Sequence, residues 1–146
     1  MSLVLNYYMS MILSVKTQIV VGKKKVAKPI LMLAIIEAIS KNHLTKNEIK
    51  YTDELETIYI DLYAKYGEVL SPMKYPFYHM QSDGFYHLKG NLPTKSPTPK
   101  QLREKIEYAY LDNQLWSLLL QENYRVEIQK QIEDSFELKI AYGNEI

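Results

Sequence analysis

Apolar and polar positions follow a helical rhythm along most of this chain and a strand-like one in a short stretch near its middle. Between Asn6 and Val20, Tyr7, Met11, Val15 and Ile19 recur at helical spacing and predict a first amphipathic helix, ended by Gly22 and followed by the charged loop Lys23-Lys24-Lys25. Lys28-Pro29 opens a second helix, because proline suits the first helical position. Its residues Ile30 to Ile39 are apolar almost all round, which makes it the buried centre of the domain. Asn42 to Lys50 is a polar link, with a brief extended segment expected over Glu48 to Tyr51. Thr52 then caps a third helix whose first turn carries Asp53 and Glu54, whose apolar face holds Leu55, Ile58, Tyr59, Leu62 and Tyr63, and which ends near Gly67.

Two aromatic runs, Tyr75-Pro76-Phe77-Tyr78-His79-Met80 and Phe85-Tyr86-His87-Leu88, flank Gln81-Ser82-Asp83-Gly84. Asp-Gly between such runs predicts a β-hairpin over Tyr75 to Leu88, since glycine accepts the positive φ of the turn. Alternation turns Phe77 inward and Pro76 and Tyr78 outward, or the reverse. Phe77, Phe85 and Leu88 are expected in the core, and Tyr75, Pro76 and His79 in an exposed contact surface. Gly90 to Pro99 holds three prolines and reads as a loop. Thr98 and Pro99 fit the N-cap and first position of a helix reaching about Tyr108. Asp112 caps a short helix with Leu115, Trp116, Leu118 and Leu119, Trp116 being a core residue, and Asn123 caps a last one with Val126, Ile128, Ile132 and Phe136. The expected fold is mainly α, in the α+β sense: a single compact helical domain over 1–146 with a small antiparallel β-hairpin or sheet and an internal Pro-rich loop at 90–99.

At 146 residues the chain has the size of one ordinary domain. It has no cysteine, which excludes disulfides and thiolate metal sites and points to a cytoplasmic setting. The longest apolar run, Ile30 to Ile36, is far short of the roughly 20 residues that cross a bilayer, so no membrane partner is expected. The three histidines, His43, His79 and His87, lack an acidic cluster at matching spacing, so neither a metal nor another cofactor is expected. With no phosphate loop and no nucleophile elbow, the chain reads as a binding domain and not an enzyme. The net charge of +1 makes no global case for nucleic acid, so the distribution of charge must carry it. Lys23, Lys24, Lys25 and Lys28 lead into a helix start, where free backbone N–H groups favour an anion; a phosphate site and a solvated loop both fit this pattern.

Three segments in order carry a resemblance: Lys28-Pro29-Ile30-Leu31-Met32-Leu33, then Tyr75-Pro76-Phe77 through Asp83-Gly84-Phe85-Tyr86-His87-Leu88, then Ala109-Tyr110-Leu111-Asp112-Asn113-Gln114-Leu115-Trp116. Together they are similar to the sulfur-binding domain of McrA-like HNH restriction endonucleases. That family shows a basic His-Lys-Pro-Leu-Leu-Leu-Leu helix start, a Pro-Phe corner with an Asp-Gly-aromatic segment, and a late acidic-hydrophobic helix. The resemblance implies a specificity module of a restriction-modification system that binds double-stranded DNA carrying a phosphorothioate, in which sulfur replaces one non-bridging phosphate oxygen. It implies a sulfur cavity at Tyr75, Pro76 and His79, and phosphate contacts at Lys23, Lys24, Lys25 and Lys28. Ala27 stands where the family has histidine, and lysines stand where it has arginines. The family's HNH nuclease lies C-terminal to this module, and nothing after Asp134 supplies it, so the chain is expected to be a fragment or a stand-alone reader, with a fused or partner nuclease. The competing expectation is a protein–protein interaction domain that docks a partner on the aromatic hairpin surface.

Overall fold

The second helix, α2 (Ala27–Ser40), is the axis on which the rest is assembled. Every side chain from Pro29 to Ile36 is buried, as its near-continuous apolar sequence requires. In a computed structural model that describes residues 3–15, 19–20, 23–24 and 26–140, with backbone alone at 19–20 and 23–24, six further α-helices and a small antiparallel two-stranded sheet complete the domain. Among these residues no helix is long and apolar enough to cross a membrane.

The first helix, α1 (Leu3–Leu13), is shorter than the Asn6–Val20 span that periodicity suggested. Ile19–Val20 instead forms β1, paired antiparallel with Lys23–Lys24 as β2. Two consecutive β-branched residues fit an extended backbone better than a helix end. Gly22 and Lys25 lie outside the described residues. Pro29 is the third residue of α2, still within the first turn, where no backbone N–H has an intrahelical partner. Helix α3 (Asp53–Tyr66) has the expected ends: the Thr52 hydroxyl accepts from Leu55 N–H, and Gly67 adopts φ 67°.

The segment Tyr75–Leu88 departs from expectation. Lys74–His79 is a short helix, α4, continued by a turn of 3-10 helix over Met80–Asp83, and only Tyr86–Gly90 is a strand, β3. Pro76 is the third residue of α4, where its missing N–H costs nothing. The positive φ of Gly84, 93°, ends the 3-10 turn instead of closing a hairpin. The strand that pairs with β3 lies further on. Helix α5 (Pro99–Lys105), with its Thr98–Gln101 capping box, stops short of Tyr108, and Ile106–Leu111 forms β4. The register joins Tyr86 to Leu111, His87 to Tyr110, Leu88 to Ala109 and Lys89 to Tyr108, with a bulge before Gly90 meets Ile106. Ile49, in the predicted extended segment, bridges Ala109 on the other edge of β4. Next to it the Asn47 side chain both accepts from Leu111 N–H and donates to Leu111 C=O, standing in for one more strand residue.

Helices α6 (Asn113–Leu119) and α7 (Glu122–Ser135) close the domain against α1 and α2. Helix α7 begins after Gln121 instead of Asn123, and Val126 is exposed. Phe77 and Phe85 are buried as expected, while Leu88 and Trp116 are half-buried against the core.

Candidate functional site

Helix α4 is positioned by what it buries. Phe77 packs edge-on against Tyr51, ring centroids 5.1 Å apart, and against Tyr86 at 6.3 Å. The Tyr86 hydroxyl donates to the Phe77 carbonyl over 2.6 Å, which satisfies an acceptor left open by so short a helix. Burial pushes this phenol well above its ordinary pKa, so it stays a donor. Pro76 is buried beside Phe77 and does not lie in the exposed contact surface expected of it, because the helix turns its ring towards the core, so of the three expected cavity residues only Tyr75 and His79 are exposed.

The outward side of α4 is aromatic. Tyr75 is 43% exposed and His79 is exposed one turn later. Residues 75 and 79 fall at positions i and i+4, so they share the exposed face of the helix, while Pro76, about 100° round from Tyr75, is turned to the buried side. Lys74 Nζ stands 5.0 Å from the Tyr75 ring centroid. Tyr78 meets His79 edge-on at 5.1 Å, and its hydroxyl donates to Thr94 C=O over 2.9 Å, which ties the Pro-rich loop to α4 and sets the exposed Lys95 next to that tether.

Lys28 and Asp83 join this corner to the start of α2. The ammonium lies 2.7 Å from the carboxylate, with side chains 14% and 5% exposed. This pairing across 55 residues leaves no local pattern, and it changes what Lys28 can do: its charge is already compensated, and it acts as a brace. Lys23 and Lys24 form β2 just before α2, and Lys25 lies outside the described residues. The structure therefore brings Lys28 to the α4 corner through Asp83, and brings the backbone of Lys23 and Lys24 to the same end of α2.

A second cluster was not anticipated. Asp112 stands at the N-cap position of α6, yet its side chain makes no cap bond. One carboxylate oxygen accepts from the Tyr8 hydroxyl at 2.8 Å, and the other meets His87 Nε2 at 2.5 Å. The Tyr8 phenol is pushed up to about 12, first by burial and then by its hydrogen bond to Asp112 and the carboxylate charge. His79 and His87 do not face each other: the former ends α4, and the latter lies against the Tyr110 ring at 5.1 Å. Among the described residues no group of three or more His, Asp or Glu is placed to hold a metal ion.

No protein-family model matches the chain, and no curated protein matches it in sequence. Solved structures do match it in shape. One is described as the sulfur binding domain of ScoMcrA complexed with phosphorothioated DNA; it aligns with a TM-score of 0.72 over 94% of this chain and 92% of that one, at 18% identity. The two share a fold. The second is the Type IV phosphorothioation-dependent restriction endonuclease ScoMcrA, at TM-score 0.67 and 16% identity, covering 89% of this chain and 29% of that one. The chain thus spans less than a third of that endonuclease, and its likeness to both is one of fold.

Proposed function

We propose that this chain is a DNA-binding module that recognises a phosphorothioate in a duplex backbone. The observation that carries the reading is the α4 corner: Tyr75 and His79 share an exposed helix face beside the buried Pro76, in a fold matched over 94% of the chain by a domain described as complexed with phosphorothioated DNA. On this reading Tyr75 and His79 offer the exposed aromatic carbon surface of a shallow site, and Pro76, buried beside Phe77, supports them from beneath. A phosphate oxygen pressed onto that carbon surface gives up hydrogen bonds to water worth about 1–3 kcal/mol. The larger, softer sulfur gives up less and gains dispersion contact. Lys23, Lys24 and Lys25 hold neighbouring phosphates, and Lys28 locks the corner through Asp83. The module would supply specificity in a restriction system of the cytoplasm, with an HNH nuclease, fused or separate, as its partner.

If three lysines neutralise three phosphates, the logarithm of the binding constant for duplex DNA should fall against log salt with a slope of about −2.7. Fluorescence anisotropy between low and moderate salt measures this. A slope near zero, or no binding at low salt, would contradict the DNA reading. It would favour a protein partner instead, for which the exposed Val69 and Leu70 (79% and 49%) just ahead of α4 provide apolar contact.

A further inference from the structure

The sulfur of this chain lies in its six methionines alone, since it has no cysteine. We propose that one of them, Met11, is an oxidation-sensitive latch on the α4 corner: its conversion to the sulfoxide by hydrogen peroxide frees the turn at Gly84 and lowers discrimination between phosphorothioate and phosphate, and reduction restores it. The inference rests on the phosphorothioate reading for its consequence and adds a regulation to it.

Met9, Met32, Met73 and Met80 are buried, none more than 9% exposed, whereas Met11 is half-buried; Met1 lies outside the described residues. Access decides which thioether oxidises, so among the described methionines Met11 reacts first. It sits in the last turn of α1, one turn after Tyr8, whose hydroxyl bond to Asp112 fixes α1 against the start of α6. Its terminal methyl lies so near Gly84 that a Cβ added there would stand 2.8 Å from it. Gly84 has no side chain, so the methionine covers the turn in its place. That turn matters to the corner because Asp83, on one side of it, reaches Lys28 at the start of α2, and Phe85, on the other, is buried in the core.

In the oxidation, the sulfur lone pair attacks one peroxide oxygen; an S–O bond forms as the O–O bond breaks, sulfur gives up two electrons, and the other oxygen leaves as water. The product is polar, whereas Met11 packs on the apolar core. Holding an unpaired polar oxygen there is unfavourable, so the side chain turns out to water. At a helix end this swing is easy, but it uncovers Gly84. A glycine held at φ 93° with nothing packed on it has many other backbone conformations open to it, and Asp83 beside it then holds Lys28 less firmly. A thiol-dependent sulfoxide reductase reverses the step: the oxygen leaves as water while two thiols become a disulfide.

The test treats the full chain with dilute hydrogen peroxide and removes the peroxide before any duplex is added, because phosphorothioate sulfur also reacts with it. Peptide mapping by mass spectrometry should show Met11 oxidised about tenfold faster than Met9, Met32, Met73 or Met80. Oxidation of Met11 should lower the thermal midpoint by about 2–4 °C and cut the affinity ratio of modified to unmodified duplex from about tenfold to about threefold, with the salt slope unchanged. Sulfoxide reductase with dithiothreitol should restore both. Met11→Leu keeps an apolar cover that peroxide does not attack, so this protein should hold its ratio and midpoint through the treatment, whereas Met11→Gln should resemble the oxidised protein without it. Oxidation of the buried methionines as fast as Met11, an unchanged ratio once Met11 is oxidised, or an equal loss in treated Met11→Leu would each overturn the inference and leave sulfur recognition standing. If the untreated protein bound neither duplex, the DNA reading would fall; the latch would then stand on a midpoint lowered by oxidation in the intact protein alone, and an unmoved midpoint would overturn it too.

Discussion

Gly90→Ala should lower the unfolding free energy by about 3 kcal/mol or more, measured by urea denaturation. Gly90 holds φ 130°, a region that side-chain-bearing residues rarely adopt. A Cβ there would sit 2.4 Å from the Lys105 carbonyl oxygen and 3.0 Å from Ile106 Cα. Both are backbone atoms, so relief requires reopening the bulge that sets the β3–β4 register. Gly84→Ala is the control. At φ 93° it too carries backbone strain, but its closest neighbour is the terminal methyl of Met11 at 2.8 Å, which can swing away. Its loss should be smaller, about 1–2 kcal/mol. Equal losses for the two would mean that the bulge yields as easily as a methionine side chain.

Lys28→Ala should have the second large effect, a loss of about 3 kcal/mol, because it strands a carboxylate that is only 5% exposed. Replacing both partners by apolar residues, Lys28→Met with Asp83→Leu, should recover most of that loss, since no charge is then left buried alone. Loss of the brace should also weaken discrimination at the α4 corner in both proteins, because the pair joins the start of α2 to the turn that follows α4. A double-mutant cycle read by urea denaturation separates the contributions. A single-substitution loss below about 1 kcal/mol would show that the pair is effectively solvated.

The helices whose ends are fixed by local chemistry were legible in the sequence. Thr52 and Gly67 bound α3, and Thr98 with Pro99 starts α5, because the interactions that set these ends form within a few residues. The elements that depend on distant partners were not. Strand β4 reads as the tail of a helix until its register with β3 is known, and Asp112 reads as an ordinary cap until Tyr8, 104 residues away, takes its carboxylate.

The candidate site was half legible, for a geometric reason. Residues 75 and 79 fall on one side under both the strand period and the helical one, so misreading α4 as a strand still kept Tyr75 with His79. Pro76 is where the two periods disagree. Alternation puts it opposite Tyr75, whereas the helix sets it beside and beneath. The Lys28–Asp83 brace left no local trace, since a lysine before proline and an aspartate before glycine each have a sufficient local explanation.

The most direct measurement compares the affinity of the intact protein for two duplexes of identical sequence, one with a single phosphorothioate of defined stereochemistry and one with ordinary phosphate. The modified duplex should bind about tenfold tighter, and only one diastereomer should do so, because the corner is rigid. Tyr75→Ala, a change at an exposed position that leaves Phe77 and its packing in place, should bring the modified duplex down toward the affinity of the unmodified one without altering the salt slope. Equal affinity of the intact protein for both duplexes, across several flanking sequences and both diastereomers, would contradict sulfur recognition at Tyr75, Pro76 and His79.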